Sequence, residues 1–254
     1  MFKTKNQKID LLAKKCFPER IVELEKLFSS PTKIYIDYAN VRPWSEKLGW
    51  HVEPQRVLQF FRSFDTVRDI KIYSGTLKGD LKSEKENKDL ADSFGSGYIT
   101  KSVKIMKKSI DVSSISASSP DILKNFIRPS LLRQLKIETI EYMNAQLADL
   151  NKQGVYFIED RKCNFDVEIG RDMLLDYEKK ECDCFALWSG DSDFAGPVGQ
   201  LLKDGKRVYI FSTARKVSRE LSELVPDGLY IYDIEKIRNF ICWNKEMEGS
   251  SANK

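Results

Sequence analysis

Three short stretches of this chain carry aspartates at spacings that suit carboxylate chemistry. They are IDYAN (Ile36 to Asn40), KCNFDVEIGRDM (Lys162 to Met173) with Asp166 and Asp172, and SGDSDF (Ser189 to Phe194) with Asp191 and Asp193. Taken singly, an aspartate or serine just before a helix is first of all an N-cap that satisfies unpaired amide groups. That reading holds for Ser189, Asp191, Ser192 and Asp193, which precede AGPVGQLLKDG, and for Asp166. Asp172 reads equally well as a solvated first-turn carboxylate. Taken together the picture changes, because carboxylates gathered at one place repel one another and stay ionised only with a cation among them. Oxygen-only donor sets select hard ions such as Mg²⁺ or Mn²⁺. Such a site supports phosphoryl transfer or phosphodiester hydrolysis, activating a water for in-line attack without any histidine.

The rest of the composition removes competing chemistries. His51 is the chain's one histidine, and no G-x-S-x-G nucleophile elbow accompanies it. No G-x-x-x-x-G-K-[ST] loop occurs, and the GSG at Gly95 to Gly97 is too short for a dinucleotide fingerprint. Cys163, Cys182 and Cys184 match no zinc spacing, and five cysteines behind a polar start, MFKTKNQKIDLLAKK, imply reduced thiols and a cytoplasmic protein. No apolar run reaches bilayer length. A net charge of +4, spread over 42 basic and 38 acidic side chains, permits a polyanionic partner without requiring one.

The elements that must position the acids alternate between strand and helix. KIYID (Lys33 to Asp37) reads as a buried parallel strand, Pro54 to Phe64 as a helix, and Asp69 to Thr76 as a second strand. From Leu77 to Arg128 the chain turns polar and rich in Ser and Lys, which reads as an insertion at about 77–128. A helix over Pro129 to Leu150, a strand at Gly154 to Asp160 and a helix from Asp166 to Tyr177 follow. Strands at Cys184 to Gly190, Lys206 to Ser212 and Gly228 to Ile234 alternate with helices at Ala195 to Lys203 and Ser218 to Leu224. This order predicts a parallel sheet covered on both faces. Two short helices split by Pro18 form an N-terminal extension over 1–30, the main domain spans 31–243, and 244–254 reads as a disordered tail. Ligands of an open parallel sheet sit at the carboxyl ends of its strands. Asp37, Asp166, Asp191 and Asp193 all fall there, following three separate strands.

The motifs IDYANV (Ile36 to Val41), KCNFDVEIGRDM and SGDSDFAGPVGQLLKDGKRVYIF (Ser189 to Phe211), in this order, resemble the NYN domain family of the PIN-like ribonucleases. The resemblance covers roughly Lys33 to Thr76 and Gly154 to Asp233. It implies a Rossmann-like three-layer α/β/α sandwich with a mainly parallel central sheet. It also implies a metal-dependent endoribonuclease in which Asp37, Asp166, Asp191 and Asp193 hold Mg²⁺ or Mn²⁺ and Asn40 and Asp172 support the site. Lys162, in its K-x-x-x-D spacing, and Ser189 would meet substrate phosphate, and cleavage would leave a 5′-phosphate and a 3′-hydroxyl. Haloacid dehalogenase-like phosphatases need D-x-D where this chain has DYAN, and Toprim domains need a glutamate there.

RNA contacts are expected from Arg42 beside the first motif, Arg161 and Lys162 after the third expected strand, and Arg215, Lys216 and Arg219 after the fifth. DNA is compatible with the same chemistry. Tyr38 and Trp44 suit packing as well as stacking, and KSVKIMKK (Lys101 to Lys108) suits a solvated face. The expected function is RNA hydrolysis at a four-aspartate site. The alternative is an RNA-binding or regulatory module that keeps the acidic pocket with little or no cleavage. The insertion then offers a surface for a protein partner or a second copy of the chain.

Overall fold

β1 (Thr32–Asp37) is buried along its whole length, because Ile34 and Ile36 project to one face and Tyr35 to the other, and both faces are covered. The computed structural model of the chain describes residues 1–213 and 216–247. In it β1 pairs in parallel with β2 (Val67–Thr76) on one side, and β2 in turn with β3 (Tyr98–Ser102). On its other side β1 pairs in parallel with β6 (Cys184–Trp188), followed outward by β7 (Arg207–Ser212) and β8 (Tyr230–Asp233). The six-stranded order is β3-β2-β1-β6-β7-β8. The chain therefore proceeds one way from β1 to β3 and the other way from β6 to β8. The reversal falls between β1 and β6, where a parallel sheet opens a crevice at its carboxyl edge. This is the α/β sandwich with a mainly parallel, helix-flanked sheet that the alternation of elements predicts.

One face of the sheet, with Ile34, Ile36, Ile72, Ala186, Trp188 and Phe211, packs against the N-terminal helices, the Pro54–Phe61 helix and the Arg238–Ile241 turn of helix. Phe28, Phe60, Phe61 and Phe64 meet there edge to face at centroid distances of 5.2–5.7 Å, a geometry that aromatic quadrupoles favour. The opposite face carries Tyr35 and Tyr73 and receives the Asp166–Glu178 helix. No helix among the described residues is long and apolar enough to cross a membrane.

The described residues form two compact units, one of residues 1–102 with those from 164 onward, the other of Val103–Cys163. In the smaller unit β4 (Lys104–Ser109) and β5 (Phe157–Lys162) form a two-stranded antiparallel ribbon, with helices at Pro129–Leu132 and Ile137–Lys152. The strand expected at Gly154 to Asp160 is thus not a member of the central sheet. Its FIEDRK sequence has no apolar face to bury, and all but Asp160 of its residues are exposed. The polar stretch after Leu77 holds more order than its periodicity suggests. The Leu81–Phe94 helix buries only Asn87, Leu90 and Phe94, and β3 follows as an edge strand. Gly97 makes that edge feasible, since a Cβ there would lie 2.3 Å from the Ile70 carbonyl oxygen. Of the tail expected at 244–254, Asn244–Glu246 forms a 3-10 turn, and 248–254 lie outside the described residues.

Candidate acidic site at the sheet edge

Asp37 ends β1 and is 3% exposed. Its side chain caps the turn that follows, Oδ1 accepting from the Asn40 N–H at 3.3 Å, while Oδ2 accepts from the Ser189 hydroxyl at 3.3 Å. Ser189 is fully buried one residue past β6, so this bond joins the ends of the two strands that flank the crevice. The Ser189 hydroxyl also accepts from the Asp191 N–H at 3.3 Å. Asp191 in turn caps the Ser192–Phe194 turn through the Asp193 N–H at 3.2 Å.

Gly190 lets this loop pass under its neighbour. A Cβ at that position would stand 1.8 Å from the Lys216 carbonyl oxygen, and the Gly190 carbonyl accepts from the Ser218 N–H at 2.9 Å. The chain after β7 therefore lies directly over the SGDSD turn.

Asp166 enters from the N-terminus of the Asp166–Glu178 helix, its N–H donating to Asn164 Oδ1 at 2.8 Å. Its Oδ2 is buried with no hydrogen-bond partner, and the carboxyl lies near the Asn164 side chain and near a second carboxylate, Asp193. Two carboxylates share such a contact only through a proton or a cation. Burial pushes Asp166 up to about 6, opposed by the Asn164 side chain and helped by the nearby carboxyl of Asp193 and the charges of Asp191 and Asp193. Burial pushes Asp37 up to about 7, helped by the charges of Asp166 and Asp191 and opposed by the bonds from Asn40 and Ser189. The charges of Asp166 and Asp191 thus reach Asp37, and those of Asp191 and Asp193 reach Asp166.

Among the described residues no three Asp, Glu, His or Cys side chains close a metal cage as they stand. Magnesium needs less, taking one or two carboxylates and filling its shell with water and phosphate oxygen. An orphaned buried carboxylate oxygen with further carboxylates nearby is the donor chemistry that such a hard cation satisfies.

The other expected site residues fall in several places. Asn40 accepts from Trp44 Nε1 at 3.1 Å, and Trp44 is 1% exposed, so that tryptophan packs. Asp172 accepts from the Tyr73 hydroxyl at 2.8 Å and pairs with Arg171 at 2.8 Å. Arg42 pairs with Glu86 at 3.1 Å, and Lys216 belongs to the chain over Gly190. Lys162 lies on β5 in the smaller unit, and Arg215 lies outside the described residues.

Sequence reasoning passes over a polar cluster beneath the same helix. Asp176, 3% exposed, accepts from Lys33 at 2.8 Å, from Lys71 at 2.9 Å and from the Tyr35 hydroxyl at 2.8 Å, while Lys33 also meets Glu181. Burial works to raise the Asp176 pKa, but the bonds from Lys33, Lys71 and Tyr35 outweigh it and hold the carboxyl below its ordinary range. Asp172 and Asp176, four residues apart, share the buried face with Ile169 and Met173. The cluster therefore fixes the helix to the sheet and sets where Asp166 meets the edge. The signal for it was Lys33 itself, since a lysine inside a fully buried strand requires acidic partners.

A parallel sheet with acids at its switch point and on the adjoining helix N-terminus defines an α/β protein of the PIN-like kind. The family profile of the NYN domain matches residues 31–232, and the chain belongs to that family. The family is one of PIN-like nucleases that generally bind RNA and use divalent metals. The chain is 26% identical over 208 residues to the Low amplitude and bright protein LabA of Synechococcus elongatus, covering 82% of this chain and 86% of that protein. A crystal structure of a protein of unknown function from Vibrio parahaemolyticus is also similar, at 15% identity and a TM-score of 0.46, with 84% of this chain and 95% of that chain covered.

Proposed function

We propose that this protein is a metal-dependent endoribonuclease that hydrolyses RNA at the crevice between β1 and β6, through Asp37, Asp166, Asp191 and Asp193. The observation that carries the reading is the buried Asp166 Oδ2, left without a hydrogen-bond partner in a carboxyl that feels Asp191 and Asp193, near the edge where Asp37 ends β1. When bound by these carboxylates, Mg²⁺ or Mn²⁺ would lower the pKa of a water and screen the charge developing on phosphate.

The chain's own residues supply the frame for that chemistry. Ser189 orients Asp37, the turn at Ser192–Phe194 orients Asp191, and the helix fixed by Asp176 presents Asp166. Burial keeps bulk water from Asp37, so a cation that enters and displaces its proton feels the carboxylate strongly. Asn40 and Asp172 support the site through Trp44 and Tyr73. Arg42, Lys162, Arg215 and Lys216 are the basic side chains assigned to the RNA backbone, in a protein working in the cytoplasm.

The reading is tested by incubating the protein with mixed RNA and Mn²⁺ beside Asp191→Asn. Cleavage by the wild type alone supports it, and equal cleavage by both proteins points to a contaminating nuclease. One observation favours a second reading, an RNA-binding module without cleavage: among the described residues no three Asp, Glu, His or Cys side chains stand as a closed cage. RNA binding in EDTA with no cleavage in Mn²⁺ is its signature.

A further inference from the structure

A cleft of about 400 Å³ opens beside the acidic edge, lined by Tyr38, Arg42, Glu46, Lys82 and Glu86 and by the stacked rings of His51 and Trp243 among others. Tyr38 directly follows Asp37, and Arg42 lies one helical turn further on the same face, so the floor of the cleft begins where β1 ends. We propose that this cleft holds one unpaired ribonucleoside of an RNA strand, its base stacked on the face of His51 turned away from Trp243. The proposal rests on the ribonuclease reading above.

His51 is built as one layer of a stack. Its imidazole lies on the Trp243 indole with centroids 3.7 Å apart and planes 2° from parallel. Lys245 stands over the Trp243 ring at 4.7 Å from its centroid. Glu246 fixes the ring's rotation, accepting at 2.7 Å from His51 Nδ1 and at 2.7 Å from the His51 backbone N–H. The imidazole side chain is nevertheless 43% exposed. A flat, half-exposed ring held on one face and at one edge is a stacking platform, which every nucleobase can use.

The charges of the cleft say which part of a nucleotide it takes. Arg42 is paired with Glu86, and the lining carries Arg42 and Lys82 against Glu46 and Glu86, so the cleft has no excess of positive charge beyond what Arg42 offers a neighbouring phosphate. Carboxylates beside an aromatic layer instead accept from ribose hydroxyls and exocyclic amines. Contact with the 2′-hydroxyl distinguishes RNA from DNA, and an unpaired base is required because a paired one cannot reach the ring.

The chain's single histidine makes the test direct. A short unstructured RNA is added to the full-length protein in EDTA, and the carbon-bound imidazole protons of His51 are followed by NMR. Stacking predicts an upfield displacement of these resonances that saturates with RNA binding measured by fluorescence anisotropy. His51→Ala weakens RNA binding about tenfold. His51→Phe, which loses the Glu246 bond and keeps the flat ring, binds close to wild type. Equal loss in both variants indicates a structural role for the Glu246 contact and overturns the proposal. So does RNA binding, or its absence, that leaves the His51 resonances unmoved. Equal displacement by DNA of the same sequence refutes ribose recognition, and equal displacement by free AMP at the same nucleotide concentration refutes a strand subsite. Cleavage in Mn²⁺ with His51 unmoved removes the cleft and leaves the ribonuclease standing. Displacement of His51 without cleavage does the reverse.

Discussion

The Ser189 hydroxyl donates to Asp37 Oδ2 at 3.3 Å, tying the end of β6 to the end of β1 in a fully buried contact. It orients the carboxylate that is most buried of the four and lowers its pKa against the opposing effect of burial. Ser189→Ala removes this donor and the acceptor for the Asp191 N–H. The expected result is a loss of about 1 kcal/mol of stability and an about tenfold fall in Mn²⁺ affinity or cleavage rate, as is usual for groups that orient a metal ligand. Urea unfolding and cleavage assays at varied Mn²⁺ read the two effects separately. An unchanged metal dependence would count against Ser189 as the orienting group.

Gly190 is constrained by backbone. A Cβ placed 1.8 Å from the Lys216 carbonyl oxygen forces the two loops apart, and no flexible side chain can give way. Gly190→Ala is expected to cost about 1–3 kcal/mol and to reduce cleavage as well, because the displaced turn carries Asp191. Wild-type stability by thermal unfolding would show that the loops are not held in this crossing.

Asp176→Asn leaves Lys33 and Lys71 with their shared counter-charge removed in a buried setting. The expected loss is about 3 kcal/mol at neutral pH. The Asp176 pKa is depressed in the folded chain, so its contribution is present above the unfolded carboxylate value and is lost as pH falls through the folded one. The gap between wild type and Asp176→Asn should therefore narrow in acid. A gap independent of pH would mean that the charge is not what the cluster requires.

For Asp37 and Asp166 the sign reverses. Their folded values, about 7 and about 6, lie above the ordinary 3.8, so between these limits the folded chain holds protons that the unfolded chain has released. The metal-free protein therefore loses stability as pH rises through that window. A cation bound by the same carboxylates restores it. Mn²⁺ is expected to raise the melting temperature clearly at pH 8 and little at pH 5, where protons compete for the oxygens. An equal rise at both values would place the metal elsewhere.

Much of this was legible in the sequence because the central strands are buried on both faces and leave little ambiguity. KIYID, CFALW and RVYIF read as strands from apolar runs alone, and the helix Ala195–Lys203 has the bounds its sequence suggests. SGDSDF and IDYAN follow neighbouring strands, so their meeting could be inferred from topology. The segment between β2 and the Asp166–Glu178 helix resisted the same reasoning. The Leu81–Phe94 helix buries too few apolar residues for a helical period to stand out, and FIEDRK pairs in a ribbon exposed on both faces. Asp166 consequently enters from a helix anchored by Asp176, not from a strand of the central sheet. His51 and Trp243 lie 192 positions apart in the chain, and no local pattern joins them before the fold does.

The most direct test of the central claim is cleavage of a mixed RNA substrate in Mn²⁺ by the wild type and by Asp191→Asn, purified alike. The account predicts cleavage by the wild type, its loss in EDTA, and a fall on the order of 100-fold in the variant, as removal of a charge-stabilising ligand worth several kcal/mol requires. Cleavage that is the same in both proteins, or absent from the wild type at every Mn²⁺ concentration, would contradict it.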